Sequence, residues 1–133
     1  MSEIEAIRRD YESGRLDLLK EDLARFLCAH RADILRFREE QAGRGLALDG
    51  ESAVKFFILR HRTVNPQRDI RDQLEEIRKE TWCRGVDTGR PPDPQQVALD
   101  WARRYSAEWR EHRVTAIVYV FERDKEKFLK LLS

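Results

Sequence analysis

Between Arg15 and Gln41 the apolar side chains recur at steps of three and four: Leu16, Leu19, Leu23, Phe26, Ile34 and Phe37, with His30 among them. At 3.6 residues per turn such a series falls on one stripe of an α-helix. A strand alternates its side chains with a period of two and would scatter them over both faces. A stripe this wide needs a core to cover it, so the chain must fold by helix packing. Gly43 and Gly45 supply a stop. The spacing predicts one amphipathic helix over residues 15–41, with Glu21 placed to pair with Arg25 one turn on.

The remaining segments read in the same way. Ser2-Glu3-Ile4-Glu5 has the form of a capping box. It opens a short helix through Ile4, Ile7 and Tyr11 that Ser13-Gly14 interrupts. Asp49-Gly50 fits either a hairpin turn between residues 46–48 and 53–59 or the cap of a helix reaching about Arg62. The run from Ala53 to Leu59 does not alternate, which favours a central helix, apolar nearly all round. Asn65-Pro66 is a helix start, and Ile70, Leu74 and Ile77 predict a narrow core stripe ending near Arg84-Gly85. Gly85 to Pro94 reads as a loop, and Pro94 behind Asp93 starts a last long segment.

That last segment carries Trp101, Tyr105 and Trp109, spaced one turn apart as a single apolar rib. The rib needs burial, in the chain's own core or against a partner, and the core is favoured for Trp101 and Trp109. Val114 to Phe121 is β-branched enough for a strand, yet Val114, Ile117, Val118, Phe121, Phe128 and Leu132 continue a helical stripe. The expected fold is therefore all-α, one compact domain spanning residues 1–133 with five or six helices in an irregular bundle. The alternative is α+β, with a small sheet from residues 46–48, 53–59 and 114–121.

Composition narrows the function classes. Of 133 residues 38% are charged, yet the net charge is only +1, the pattern of solvated helix faces rather than of a basic arm or acidic tail. No apolar run approaches the ~20 residues that cross a bilayer, and the N-terminus does not read as a signal peptide. Two cysteines, Cys28 and Cys83, make no disulfide framework, so a cytoplasmic setting is expected.

Motifs for chemistry are missing from the sequence. Cys28, His30, Cys83 and His112 are metal-donor types, but Cys28 and His30 stand two apart and point to different helix faces, unlike zinc-binding pairs. There is no nucleophile elbow and no phosphate-binding glycine loop. Glu39-Glu40 and Glu75-Glu76 lie on polar faces and are expected to be solvated, without the burial that catalytic carboxylates need. No cofactor, no metal and no catalytic residue is expected. Trp82 stands off the stripe of its helix beside the proline-rich loop, with Arg84 and Arg90 close in sequence, the residue types of interface hot spots. The expected function is a non-enzymatic interaction module, a small subunit or adaptor of a bacterial cytoplasmic assembly. Trp82, Arg84 and Arg90 would meet a protein partner or a second copy, with no membrane involved.

A nucleic-acid-contacting accessory subunit is the alternative. Lys55, Arg60, Arg62, Arg68 and Arg71 face only Asp69 between positions 55 and 71, whereas residues 1–51 hold nine basic and twelve acidic side chains. Forked guanidinium donors suit phosphates. This alternative makes a distinct prediction. Gel retardation of DNA or RNA in low salt would weaken steeply as salt rises, and replacing Arg60, Arg62 and Arg68 together with Gln would flatten that dependence. A wild-type chain that retards neither strand form removes it.

Overall fold

The computed structural model describes residues 2–133. Among them are seven helices and no strand: α1 (Glu3–Glu12), α2 (Asp17–Ala29), α3 (Arg31–Gly43), α4 (Gly50–His61), α5 (Pro66–Thr88), α6 (Pro94–Arg123) and α7 (Lys125–Lys130). The all-α expectation holds, with more helices than the five or six anticipated, and the small sheet is not formed. Val114 to Phe121 lies within α6, because its apolar residues meet a core on one side, where helical spacing serves better than alternation.

The chain divides into two units. The first comprises the residues up to Asn65 and Arg113–Ser133, and the second is Pro66–His112.

In the first unit, Ser2 caps α1 by accepting from the Glu5 N–H at 3.2 Å, and α1 sets Ile7 into the core while Ile4 stays exposed. The helix expected over residues 15–41 is two helices. His30 adopts φ −101° and ψ 10°, ending α2 and opening α3. No glycine or proline marks the break. The helical hydrogen bonds meet at this residue: its N–H donates to Phe26 O, closing α2, and its carbonyl accepts from the Ile34 N–H, opening α3. Ring packing accompanies the turn: the His30 ring lies 4.5 Å from Phe26 and 4.8 Å from His61. Beyond it Phe37 stacks on Phe56 of α4 at 4.4 Å. Tertiary contacts here override a local pattern that reads as continuous.

Asp49 caps α4, its Oδ1 accepting from the Ser52 N–H at 2.7 Å. Arg62 ends the helix in the left-handed region at φ 60°. α4 buries Ala53, Val54, Phe57 and Ile58 but leaves Phe56 and Leu59 exposed, so it is one-sided rather than apolar all round. These residues share one core with Leu23, Leu27 and Ile34 from α2 and α3, and with Ile117, Val120 and Phe121 from the end of α6. Phe128 and Leu132 close it.

Polar contacts fix the edges of this core. Lys55 Nζ sits 3.0 Å from Glu51 and 2.6 Å from Glu122, and Lys125 reaches Glu51 at 3.1 Å. The Tyr11 hydroxyl donates to Asp124 at 2.6 Å. Asp22, fully buried, accepts from the Asn65 side-chain amide at 3.1 Å. A buried carboxylate needs such donors to offset its lost hydration.

The second unit is a hairpin of α5 and the first part of α6. α5 runs past Gly85 to Thr88 rather than stopping at residue 84 or 85. Gly89 takes the positive φ of +67° that turns the chain. α5 has no fully buried residue. Ile70 is 60% exposed and Leu74 47%, so the stripe expected in a core faces outward. Val97 and Trp101 of α6 are the buried side chains of this unit.

Leu23 and Ile34 have no exposed surface. Replacing either with Ala should lower unfolding stability by ~2–5 kcal/mol, read from urea denaturation, because the hole left cannot fully collapse. Ile70→Ala, at an exposed position, should cost less than about 0.5 kcal/mol.

Candidate functional site

The second unit carries a groove of about 420 Å³ along its hairpin. Glu76, Lys79, Glu80 and Cys83 form one wall. They occupy positions i, i+3, i+4 and i+7 of α5, one face of the helix. Trp101, Tyr105, Glu108, Trp109 and His112 of α6 form the other. The three-ring ladder thus lines an open groove instead of filling a core. Trp101 is buried at its base with 6% exposure, Trp109 is half-buried, and Tyr105 is 41% exposed. The Trp101 and Tyr105 rings lie 6.4 Å apart, tilted by 51°.

The partner-binding residues expected from sequence separate. Trp82 is 70% exposed. It does not line the groove: with Val86, four residues on, it is turned about 100° around α5 from Cys83 and stands exposed on another face of that helix. Arg84 is bound within the hairpin: its Nη1 donates to Asp100 at 3.0 Å and its Nε to Glu80 at 3.2 Å. Asp100 and Glu80 raise the pKa of this guanidinium, and Arg84 in return holds the Asp100 carboxyl below its ordinary value. Its forked donors therefore position α5 against α6. Arg90 stands exposed in the connection between the helices, where Thr88 Oγ1 contacts its backbone.

The basic segment is also divided. Lys55, Arg60 and Arg62 belong to the first unit, Arg68 and Arg71 to the second. The Lys55 ammonium is taken up by Glu122 and Glu51, which raise its pKa. Arg60 stands five residues on, about 140° around the same helix, and lines a different cleft.

That cleft, of about 330 Å³, is a feature the sequence did not advertise. Its walls are His30, Asp33, Arg36, Phe37 and Glu40 from the α2–α3 turn and α3, with Phe57, Arg60 and His61 from α4. His30 was read as a core histidine, yet it is only half-buried, with Nδ1 3.8 Å from Asp33 Oδ2. His61 lies 5.3 Å from Phe26 and 6.1 Å from Phe57. A signal existed in hindsight: Phe57 and His61 are four apart, as are Phe26 and His30. What placed one pair against the other is the unmarked turn at His30.

Cys28 and Cys83 are both exposed. Among the described residues no three or more His, Cys, Asp or Glu side chains converge as a metal site requires, and no helix is long and apolar enough to cross a membrane. Compared with protein-family models, curated proteins and solved structures, the chain matches none of them.

His61 makes stability depend on pH. Burial, then the charges of His30 and Arg60, lower the His61 pKa below its ordinary 6.5, with Asp33 opposing. Arg36 and Glu40 also face the cleft. A histidine with a lowered native pKa binds protons more readily in the unfolded chain, so its contribution is whole above pH 6.5 and is lost as pH falls toward the native value. Denaturant midpoints measured from pH 8 down to 5 should therefore fall less steeply for His61→Phe than for the wild type.

Proposed function

We propose that this protein is a non-enzymatic interaction module, a small subunit or adaptor, and that a partner protein docks on the α5–α6 hairpin over the aromatic groove. The observation that carries this reading is the placement of the rings. Tyr105 and Trp109 line a concave surface, and Trp82 of α5, outside that lining, has 70% of its area in water. Large aromatic side chains gain most from leaving water, and Trp and Tyr dominate binding energy where two proteins meet. The hairpin presents them from two rigid helices pinned by Arg84, which lowers the ordering cost of association. This reading shifts the centre of the docking surface from Arg84 and Arg90 to the ladder itself, with Trp82 outside the groove lining.

The alternative of nucleic-acid contact draws less support. Its five basic residues are divided between the two units, and Lys55 is already paired with two carboxylates.

Trp82→Ala and Tyr105→Ala should leave thermal melting nearly unchanged while weakening partner binding by ~2 kcal/mol or more each, the scale of a hot spot. Trp101→Ala should act first on the fold, at ~3–5 kcal/mol. The comparison is melting together with nuclease-treated affinity capture from the native host, followed by sedimentation of the purified chain. Capture by the wild type that both exposed-ring variants retain in full would overturn the assignment. Concentration-dependent dimers abolished by the same variants would make the partner a second copy.

A further inference from the structure

The charges that border the rings say what kind of group the groove holds. Its lining carries three carboxylates, Glu76, Glu80 and Glu108, against one ammonium, Lys79. Lys79 lies 3.4 Å from Glu76 and compensates one of the three, and His112 stands at the same lining. Arg84 touches Glu80, but it is shared with a further carboxylate, Asp100. An aromatic surface ringed by carboxylates complements a cation: the ring faces are negative by their quadrupole, and the carboxylates add charge at the rim.

We infer that the groove, if the docking reading above is right, receives a basic segment of the partner protein and seats one of its lysine or arginine side chains against the Tyr105 ring between Glu76 and Glu108. The first unit shows the same arrangement made internally. There Lys20 Nζ lies 4.0 Å above the Tyr11 ring, and Asp124 accepts from the hydroxyl of that ring. A cation over a tyrosine face with a carboxylate at its edge is thus a contact this chain already makes. The long aliphatic stem of Lys or Arg suits the half-apolar walls, because the stem packs on the rings while the head stays at the acidic rim.

The test uses the full chain, labelled with ¹⁵N, and two synthetic peptides. One alternates lysine and glycine, and the other is the same peptide with every lysine acetylated. The indole N–H signals of Trp101 and Trp109 report on the groove. The lysine peptide should shift them in a saturable way that weakens with salt, and acetylation should weaken binding at least about tenfold, within the range of a desolvated cation–aromatic contact. Tyr105→Leu keeps the apolar contact but removes the quadrupole, and Glu76→Gln with Glu108→Gln removes rim charge. Each should weaken the lysine peptide roughly tenfold with unchanged melting. Equal binding of the two peptides, or no indole shift with either at millimolar peptide, overturns the inference. So does lysine-peptide binding that both variants leave intact. In any of these cases the docking reading survives as long as Trp82→Ala and Tyr105→Ala still abolish partner capture, so the two failures are distinguishable.

Discussion

The core of the first unit is closed by residues that arrive last. Leu23, Leu27, Val54 and Ile58 have no exposed surface only because Ile117, Val120 and Phe121 of α6 pack into the same cluster, with Phe128 and Leu132 at its margin. Nearly fifty residues of the second unit lie between these partners in sequence. The N-terminal helices alone would expose the apolar surface that this return segment covers, and burial of such surface is the main favourable term in folding. The Lys55–Glu122, Lys125–Glu51 and Tyr11–Asp124 contacts all join the early helices to the returning segment. As partly exposed pairs they contribute modestly to stability, but they fix the register in which the segment docks.

The second unit is organised differently. With Val97 and Trp101 as its buried side chains and no buried residue on α5, it has little core of its own. What defines its shape is the short connection between the helices, turned at Gly89, and the Arg84–Asp100 contact. That economy leaves Trp82, Val86 and Tyr105 exposed along one hairpin. Stability is concentrated in the first unit, and the surface proposed for recognition lies in the second.

The histidine cleft illustrates how a structural turn creates chemistry without a motif. His30 and His61 are each unremarkable in sequence. With the rings set 4.8 Å apart against Phe26 and Phe57, protonation of His61 is disfavoured by burial and by the neighbouring charges. The effect acts on stability, since the same rings anchor the α2–α3 turn to α4.

Much of the architecture was legible in the sequence because local signals and tertiary packing agree there. Ser2 and Asp49 cap the helices their positions predict. Gly43 closes α3, and Val114 to Phe121 follows its helical stripe in spite of β-branched propensity. The turn at His30 was not legible, because no glycine or proline marks it and the apolar spacing of three and four runs on through it. The outward face of Ile70 and Leu74 was equally hidden: periodicity shows that a helix has an apolar stripe but not whether anything covers it. Spacing likewise put Trp101, Tyr105 and Trp109 on one rib. Burial of the first ring and exposure of the second were decided in three dimensions, by where α5 crosses the rib and which carboxylates it brings alongside. Helices and their apolar stripes could be read from the residue order, since they depend on neighbours within a turn or two. Which stripes became core and which became groove could not, since that depends on partners far away along the chain.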